Sequence, residues 1–295
     1  MTESGEGGTD LSNITVGGSI TGSGSRVGIL AGRISDSTAE ECVTNGTVVG
    51  NRRTGGLFGQ ASGDSIVRSC ESTATVSQHP ESTEDAFGGL IGDVQSSSRV
   101  VNSSATGDVT GHKEVGGLVG QQFGVIKDSR AHGNVEAIDA QAGGLVGIAA
   151  GRFSQIEDSH ATGNVTSNSS SAGGLVGIYS GAIRDDENEA FVSRCFATGV
   201  VDGRYQLGGL IGRASEPLVI RDSYATGSIT GQDNSPLGIG GLVGNISEKA
   251  AVRRCYAVGA IDTNGETIGG LIGSTESGAT VETSYWDKNT TNRLC

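Results

Sequence analysis

Residues 116–120 read GGLVG, and this five-residue pattern returns along almost the whole chain. Successive copies begin 27 to 35 residues apart. They are GILAG from Gly28, GGLFG from Gly55, GGLIG from Gly88, Gly208 and Gly269, and GGLVG from Gly116, Gly143, Gly173 and Gly240. The 51 glycines of the 295 residues show no G-X-Y period, which excludes collagen. Self-similarity at a steady period indicates a tandem repeat architecture.

A second pattern lies between the copies of the first and reads SYATGSITG in residues 223–231. It recurs from Ser103, Ser159, Cys195 and Cys255, more weakly from Cys42, Cys70 and Ser129, and in part as residues 14–22 and as SYWD from Ser284. Ser223, Ala225 and Ile229 fall on one parity, which predicts a strand with one face turned inward.

The two patterns together predict the fold. Each unit offers three short apolar segments, and strands this short bury enough surface only when equivalent segments of successive units stack in parallel. We predict an all-β, single-domain parallel β-solenoid (β-helix) of about nine coils, 27–35 residues per coil. The solenoid covers residues 14–287, with an N-terminal tail or cap in residues 1–13 and a tail in residues 288–295. Inward glycines fit a narrow interior, and others are expected at positive φ where the coil turns.

The third and fourth positions of GGLxG raise a packing question. Leucine holds the third position and a second apolar residue the fourth, as in Leu57 and Phe58. Adjacent strand residues point to opposite faces, so the second column needs a cover of its own. A bend in the coil, a wide two-layer cross-section or another chain would supply it, and cover within the chain is the favoured interpretation.

The units GGLVG and SYATGxV, closed by SYWD, resemble the GLUG repeats. The resemblance extends over roughly residues 14–287. It implies a module of large microbial surface proteins, such as adhesins, with a role in adhesion or spacing. It supplies no catalytic residue, and the HExxH motif of the peptidases that carry such repeats is absent from this sequence.

Charge and hydropathy limit the partners of this chain. The formal net charge is −13, with 33 Asp and Glu against 20 Lys and Arg, which argues against nucleic acid and anionic membranes. No segment is apolar over a membrane span, so membrane insertion is not expected, and residues 1–10 show no signal peptide. Only four of the basic residues are lysine, a pattern that fits a salt-rich habitat or an ordinary acidic protein equally.

Equivalent positions of stacked coils form columns along the rod. The residue after each Ser or Cys reads His160, Phe196, Tyr224, Tyr256 and Tyr285 in the C-terminal half and is expected to point outward. The rings Phe196, Tyr224, Tyr256 and Tyr285 are the candidate ligand-binding residues, for sugar faces or a partner protein. The alternative is that the rings stack on each other and only stiffen the rod.

A charged column precedes the Ser and Cys positions and reads Asp128, Asp158, Arg194, Asp222 and Arg254. Opposite charges on adjacent coils would help to set the register. Asp128 and Asp158 are also the candidates for a carboxylate pair in acid/base catalysis. Both occupy positions where the repeat requires only a polar turn residue, and no Walker loop or His-based nucleophile is present, so we do not expect an enzyme.

Three insertions interrupt the period and could carry a binding function: residues 77–87, 180–190 and 232–239. Asp185, Asp186 and Glu187 in the second could offer oxygen ligands to Ca²⁺. Their spacing matches neither an EF-hand nor a calcium-binding nonapeptide repeat, so no cofactor is predicted and a solvated loop is the simpler interpretation.

Cys42, Cys70, Cys195 and Cys255 stand where other units have Ser, which predicts small buried core residues. Cys42 and Cys70 would lie on adjacent coils, close enough for a disulfide, whereas Cys195 and Cys255 are separated by a further coil. Cys295 makes the number odd and would be free or linked to another chain.

Asparagines in N-x-Ser/Thr sequences are candidate glycosylation sites, as suits an exported glycoprotein. They are Asn13, Asn45, Asn102, Asn164, Asn168, Asn245 and Asn289.

Taken together, the sequence predicts a non-catalytic structural or binding solenoid at the cell surface or outside the cell, acting as an adhesion or spacer module. Its partners would be other protein chains of a surface assembly, surface glycans or a second copy of the chain. The alternatives are a structural protein of a virion (fibre, spike or decoration protein) and a carbohydrate-active β-helix enzyme.

Overall fold

The structure is a computed structural model that describes residues 8–95, 97–151, 154–180, 190–215, 218–232, 238–247, 249–263 and 267–288. Every regular element in these ranges is a β-strand, and every pairing between strands is parallel. No helix that could span a membrane occurs in them.

The first strands are β1 (Asp10–Ser12), β2 (Thr15–Gly22), β3 (Ala31–Ser35), β4 (Thr38–Glu40), β5 (Val43–Gly50), β6 (Thr54–Gly55), β7 (Phe58–Ser62), β8 (Ile66–Arg68), β9 (Glu71–Ser72), β10 (Thr75–Gln78), β11 (Asp85–Gly88), β12 (Ile91–Val94), β13 (Arg99–Val101) and β14 (Ser104–Ala105). The middle strands are β15 (Val109–Gly111), β16 (Lys113–Gly116), β17 (Val119–Gln122), β18 (Val125–Lys127), β19 (Arg130–Ala131), β20 (Val135–Ala137), β21 (Ala142–Gly143), β22 (Val146–Ala150), β23 (Gln155–Glu157), β24 (His160–Ala161), β25 (Val165–Gly173), β26 (Val176–Ser180), β27 (Phe191–Ser193) and β28 (Phe196–Ala197). The last are β29 (Val201–Gly208), β30 (Ile211–Ala214), β31 (Val219–Arg221), β32 (Tyr224–Ala225), β33 (Ile229–Gly231), β34 (Ile239–Gly240), β35 (Val243–Ile246), β36 (Ala251–Arg253), β37 (Tyr256–Ala257), β38 (Ile261–Asp262), β39 (Ile268–Gly269), β40 (Ile272–Thr275), β41 (Thr280–Glu282) and β42 (Tyr285–Trp286).

One coil shows how the repeat builds the solenoid. After GGL, the chain enters β17, turns into β18, turns again at the Ser position into β19, and continues through β20 to the next GGLxG. The β17 type forms a 9-stranded sheet, the β18 type a 10-stranded sheet, and the remaining strands a 23-stranded sheet. With about 4.8 Å between strands, the rod is roughly 45 Å long. The parallel β-solenoid of about nine turns predicted from the sequence is therefore confirmed.

The solenoid begins before residue 14, the predicted boundary. Asp10, Leu11 and Ser12 pair with Thr38, Ala39 and Glu40 of the next coil. The available signal was Leu11, which stands three residues before Ile14, at the spacing that later copies show between an aliphatic residue and the Ser or Cys position.

The interior contains two hydrophobic clusters. Leu118, Val119 and Ala131 lie in the first, which also holds the aliphatic side chains of the β18-type strands, and Val115 and Val135 lie in the second. The chain bends at Gly117 and Leu118, so Leu118 and Val119 both reach the first cluster although they are adjacent in sequence. A bend in the coil thus supplies the cover that the second apolar column needs.

Close backbone contact explains why glycine holds the second position of GGLxG. A Cβ atom at Gly117 would overlap the carbonyl oxygen of Gly144 on the next coil and lie 2.9 Å from the Cβ of Ala131 across the interior. Gly89, Gly144, Gly174, Gly209 and Gly241 face Ala105, Ala161, Ala197, Ala225 and Ala257 in the same way. We call these Gly–Ala contacts the waist of the solenoid.

The corners of the coil differ from expectation, because non-glycine residues adopt the positive φ there. Ten equivalent corner residues have φ between 47° and 56°: Asn13, Glu41, Ser69, Asn102, Asp128, Asp158, Arg194, Asp222, Arg254 and Thr283. A left-handed conformation costs an L-residue about 1–2 kcal/mol. All of these corners except Thr283 are held by a backbone bond to the next coil, such as Asp128 N–H to Glu157 O at 3.1 Å. The prediction that glycine adopts positive φ where the coil turns is confirmed at other turns, such as Gly63, Gly151 and Gly278, but is wrong at these ten corners.

Gly117→Ala tests the waist. We expect the free energy of unfolding to fall by more than about 2 kcal/mol, since the new methyl group meets backbone that cannot move without shifting a whole coil. Chemical denaturation followed by circular dichroism measures the change. Gly24→Ala is the matched control, because a Cβ atom there would have open space around it. Equal stability of the two variants would contradict the waist as the site of closest packing.

Candidate functional site

The aromatic column lies on the outer side of the short strands β24, β28, β32, β37 and β42. His160 and Phe196 are stacked with ring centroids 4.5 Å apart, Phe196 and Tyr224 at 5.0 Å, and Tyr224 and Tyr256 at 4.8 Å. The interplanar angles are only 3° to 4°. The structure therefore brings His160, Phe196, Tyr224 and Tyr256 together as one continuous stack, which we call the ring ladder, whereas the predicted Tyr285 stays outside it.

Stacking decides what the ring ladder offers to solvent. The rings of Phe196 and Tyr224 each have another ring on both faces, so only their edges are open. Tyr285 is different: its backbone pairs with Tyr256, it has no ring contact in the described chain, and it is 65% exposed. A sugar face could therefore stack on Tyr285 but not between the inner rings.

Histidines form the N-terminal end of the ring ladder. His132 meets His160 edge to face at 5.7 Å, and its Nδ1 lies 2.8 Å from the hydroxyl of Thr162. Burial, followed by repulsion from His132 and Arg130, lowers the pKa of His160. The uncharged imidazole that results is the form that stacks best on Phe196.

The charged corner column forms the ion pairs that the sequence predicts. Arg194 bonds both carboxylate oxygens of Asp158, with Nε–Oδ1 at 2.6 Å, and also contacts Glu157. Arg254 bonds Asp222 in the same two-pronged way, at 2.6 and 2.8 Å. The bond from Arg194 is the main reason that the pKa of Asp158 is lowered. Asp158 thus remains ionised, which does not fit a general acid.

Serine and cysteine residues occupy equivalent positions of one buried column that connects successive coils. The Ser129 hydroxyl donates to Lys127 O and accepts the N–H of Ser103 from the preceding coil at 3.2 Å. Cys195 does the same through sulfur, since its thiol donates to Ser193 O and the Ser159 N–H bonds the sulfur. Cys42, Cys70, Cys195 and Cys255 are free thiols in the structure. Burial raises the pKa of Cys70 and Cys195 to about 12, so both thiols are unreactive.

An ionic cluster near the first insertion was not foreseen from the sequence. Asp93 is completely buried and contacts Arg53 Nε at 2.9 Å, Gln60 Nε2 at 2.8 Å and Gln95 Nε2 at 2.6 Å. Burial raises the pKa of nearby Glu114 to about 7, with further contributions from the negative charges of Asp85 and Asp93. The adjacent arginines Arg52 and Arg53 were the available signal, since basic pairs are rare in this chain.

The first insertion lies against the preceding coil. His79 N–H donates to Gly50 O at 2.7 Å, the Ser82 hydroxyl donates to Asn51 O at 2.6 Å, and Asp85 pairs with Arg52 at 2.9 Å. Residues 181–189 and 233–237 of the other insertions lie outside the described residues. The candidate calcium ligands Asp185, Asp186 and Glu187 are among them. Within the described ranges, no three His, Cys, Asp or Glu side chains are grouped to hold a metal ion.

A polar groove of about 290 Å³ is lined by Asp108, Val109, Thr110, Asn134, Val135, Glu136, Asn164 and Thr166. The side chains of Asp108, Asn134 and Asn164 form a ladder of hydrogen bonds along it. Asp108 Oδ1 accepts the N–H of Asn134 at 2.8 Å, Asn134 Oδ1 accepts that of Asn164 at 3.1 Å, and Asn164 Oδ1 accepts that of Val200 at 3.0 Å. These side chains satisfy backbone groups where the coil turns and has no strand pairing.

The fold and these columns define a class: a β-solenoid repeat protein whose side chains are ordered in ladders from coil to coil. Residues 139–166 match the family model described as "The GLUG motif", so the resemblance predicted from the sequence is confirmed. The chain is also similar to Halomucin of Haloquadratum walsbyi, at 35% identity over 153 aligned positions. The similarity covers 46% of this chain and 2% of Halomucin, so the chain spans about 2% of the length of that relative. No solved structure matches the chain.

Cys195 tests the buried Ser/Cys column. Cys195→Ser should leave the free energy of unfolding within about 1 kcal/mol of the wild type, because the hydroxyl can take both bonds of the thiol. Cys195→Ala should be less stable than Cys195→Ser by about 1–3 kcal/mol, since it leaves the buried Ser159 N–H without an acceptor. Urea unfolding of the two variants measures the difference. Equal stability would show that the column serves only to fill space.

Glu114 is expected to make the stability of the folded protein depend on pH. Its folded-state pKa of about 7 lies above the ordinary value of 4.5, so this carboxyl contributes its full stability below pH 4.5 and loses it as the pH rises through about 7. The melting temperature of Glu114→Gln should therefore match the wild type near pH 4 and exceed it near pH 8. Differential scanning calorimetry at both pH values measures the two differences. A variant that is less stable than the wild type at pH 8 would contradict the burial of this charge.

Proposed function

We propose that this chain is a non-catalytic module at the cell surface or outside the cell, and that it acts chiefly as a rigid spacer. The observation that carries this proposal is the use of the ring faces: from His160 to Tyr256 the rings bind one another at 4.5 to 5.0 Å. Stacked aromatic pairs contribute about 0.5–1.5 kcal/mol each beyond burial. An interaction that recurs from coil to coil stiffens the part of the rod that the stack spans.

The comparisons support the location more than the role. The GLUG motif and the similarity to Halomucin favour a surface or extracellular repeat protein. Neither supports the virion alternative. The ion pairing of Asp158 by Arg194 also favours a role other than catalysis, because a carboxylate held ionised cannot deliver a proton at neutral pH.

Salt-rich surroundings fit the charge of the module. A chain with net charge −13 repels itself at low ionic strength, and physiological or higher salt screens this repulsion between charges more than roughly 10 Å apart. The bidentate Arg–Asp pairs resist screening better than single contacts do, because their geometry is fixed by two hydrogen bonds. We therefore propose that the spacer works in a medium of high ionic strength.

Adhesion is the second candidate, and Tyr285 is the residue that favours it. Tyr285 is 65% exposed and Tyr256 is 42% exposed, while the inner rings are covered by their neighbours. The partners would be surface glycans or other protein chains of the surface assembly. An exposed tyrosine face with a hydroxyl at its edge suits the apolar face and hydroxyl rim of a sugar.

The two roles predict different effects of substitutions in the ring ladder. Tyr224→Ala removes two stacking contacts and should lower the free energy of unfolding by about 1–3 kcal/mol, whereas Tyr224→Phe should have little effect. Tyr285→Ala should change stability little. Thermal unfolding together with binding to a glycan array and to cells separates the cases.

For a spacer, none of these variants changes binding. Loss of glycan or cell binding in Tyr285→Ala alone would assign the module to adhesion. A Tyr224→Ala variant as stable as the wild type would contradict the stiffening role.

A further inference from the structure

Sequences of the form N-x-Ser/Thr are more frequent than composition explains. Seven of the thirteen asparagines begin such a sequence, although Ser and Thr make up about one residue in five, so two or three would be expected. Transfer of a glycan requires the transferase to reach the side-chain nitrogen Nδ2 of the asparagine and the hydroxyl two residues later. The structure separates five of the seven sites by both criteria; Asn289 lies outside the described residues, and the side-chain oxygen of Asn164 is held by a hydrogen bond from Val200 N–H.

Two of the sites are closed. The amide nitrogen of Asn102 donates to the Ser69 hydroxyl at 3.1 Å, and Ser104, two residues later, is only 5% exposed. The amide nitrogen of Asn245 donates to the Ser274 hydroxyl at 2.7 Å, and Ser247 is only 8% exposed. At each site, the hydrogen bond between coils would have to break and the buried serine would have to become exposed before the asparagine could react.

Asn168 has the opposite character. Its side chain is exposed, Ser170 is partly exposed, and the amide makes no hydrogen bond in the described structure. The backbone of residues 168–170 also lacks partners in both neighbouring coils: pairing with the preceding coil stops at Ser167 and resumes at Ala172, and the pairing with the next coil shifts register between Ser167 and Ser171. This segment can move into a transferase site without breaking the sheet.

Asn13 and Asn45 share the open character. Asn13 lies at an exposed corner with φ of 56°, and Thr15 is exposed. Asn45 and Thr47 are both exposed. Asn45 has a strand partner only in the preceding coil, where it pairs with Gly17. As at Asn168, no hydrogen bond holds either side-chain amide in the described chain.

We propose that Asn168, Asn13 and Asn45 carry N-linked glycans and that Asn102 and Asn245 do not. The donor is a lipid-linked glycosyl phosphate. Nδ2 attacks the anomeric carbon, the bond between that carbon and the phosphate oxygen breaks, Nδ2 loses one proton, and the lipid phosphate leaves. The proposal rests on the surface location proposed above, since this chemistry acts on exported chains.

Peptide mapping by mass spectrometry of the full chain from the cells that produce it tests the assignment. Glycan is expected at Asn168, Asn13 and Asn45, with unmodified peptides at Asn102 and Asn245. Ser170→Ala should abolish the modification at Asn168 without touching that asparagine, and Ser170→Thr should preserve it. Unmodified Asn168, or glycan at Asn102 or Asn245, would overturn the proposal.

A second experiment tests the selection of glycosylation sites independently of where the protein is located. The folded chain is incubated with a purified oligosaccharyltransferase and its lipid-linked donor, and the urea-unfolded chain serves as control. The folded chain should be modified at Asn168 and remain unmodified at Asn102, and unfolding should remove this preference. Equal modification of both asparagines in the folded chain overturns the structural selection. A chain found inside cells but selective in this assay would instead overturn the proposed surface function.

Discussion

The contact between the second glycine of GGLxG and the alanine of the following short strand, which six successive copies from Gly89 to Gly241 form, is the constraint on which the rest of the structure depends. At Gly117 and Ala131 the waist leaves no room for one further carbon atom on the glycine. The chain passes beside this point from the second hydrophobic cluster to the first, which explains why Leu118 and Val119 can both be buried. Because each glycine also abuts the carbonyl of its counterpart on the next coil, the waist sets the register as well as the width.

A fixed register makes every column of equivalent side chains a ladder, and the ladders differ in chemistry. The Ser/Cys column carries hydrogen bonds from coil to coil, the corner column carries Arg–Asp pairs, and the outer column carries stacked rings. Each is a modest interaction, but it is repeated with neighbours that are already ordered, so little further entropy is lost. Insertions such as residues 77–87 lie outside this repetition. A few asparagines, such as Asn168, also lack the side-chain hydrogen bonds between coils that Asn102 and Asn245 form.

Much of this could be predicted from the sequence, because a repeated template shows the same constraint many times. Parallel stacking, the columns of rings and charges, and the Ser/Cys equivalence all follow from alignment of the copies. The positive φ of Arg194 or Arg254 could not be predicted, since arginine, unlike Asp and Asn, has no preference for a left-handed corner. The buried Asp93–Arg53 pair was missed because it occurs once, and the openness of Asn168 depends on a local shift of register that sequence spacing does not reveal.

The central claim is that coils lie directly on one another in register, and a distance between two distant coils tests it most directly. Thr73 and Thr226 are exposed and stand in one column, which is linked through Thr106, His132, Thr162 and Thr198 by backbone bonds from each coil to the next. Spin labels on cysteines at both positions, measured by pulsed electron resonance, should give one narrow distance of about 24 Å, five steps of about 4.8 Å. A broad distribution, or a narrow distance far from this value, would contradict the stacking.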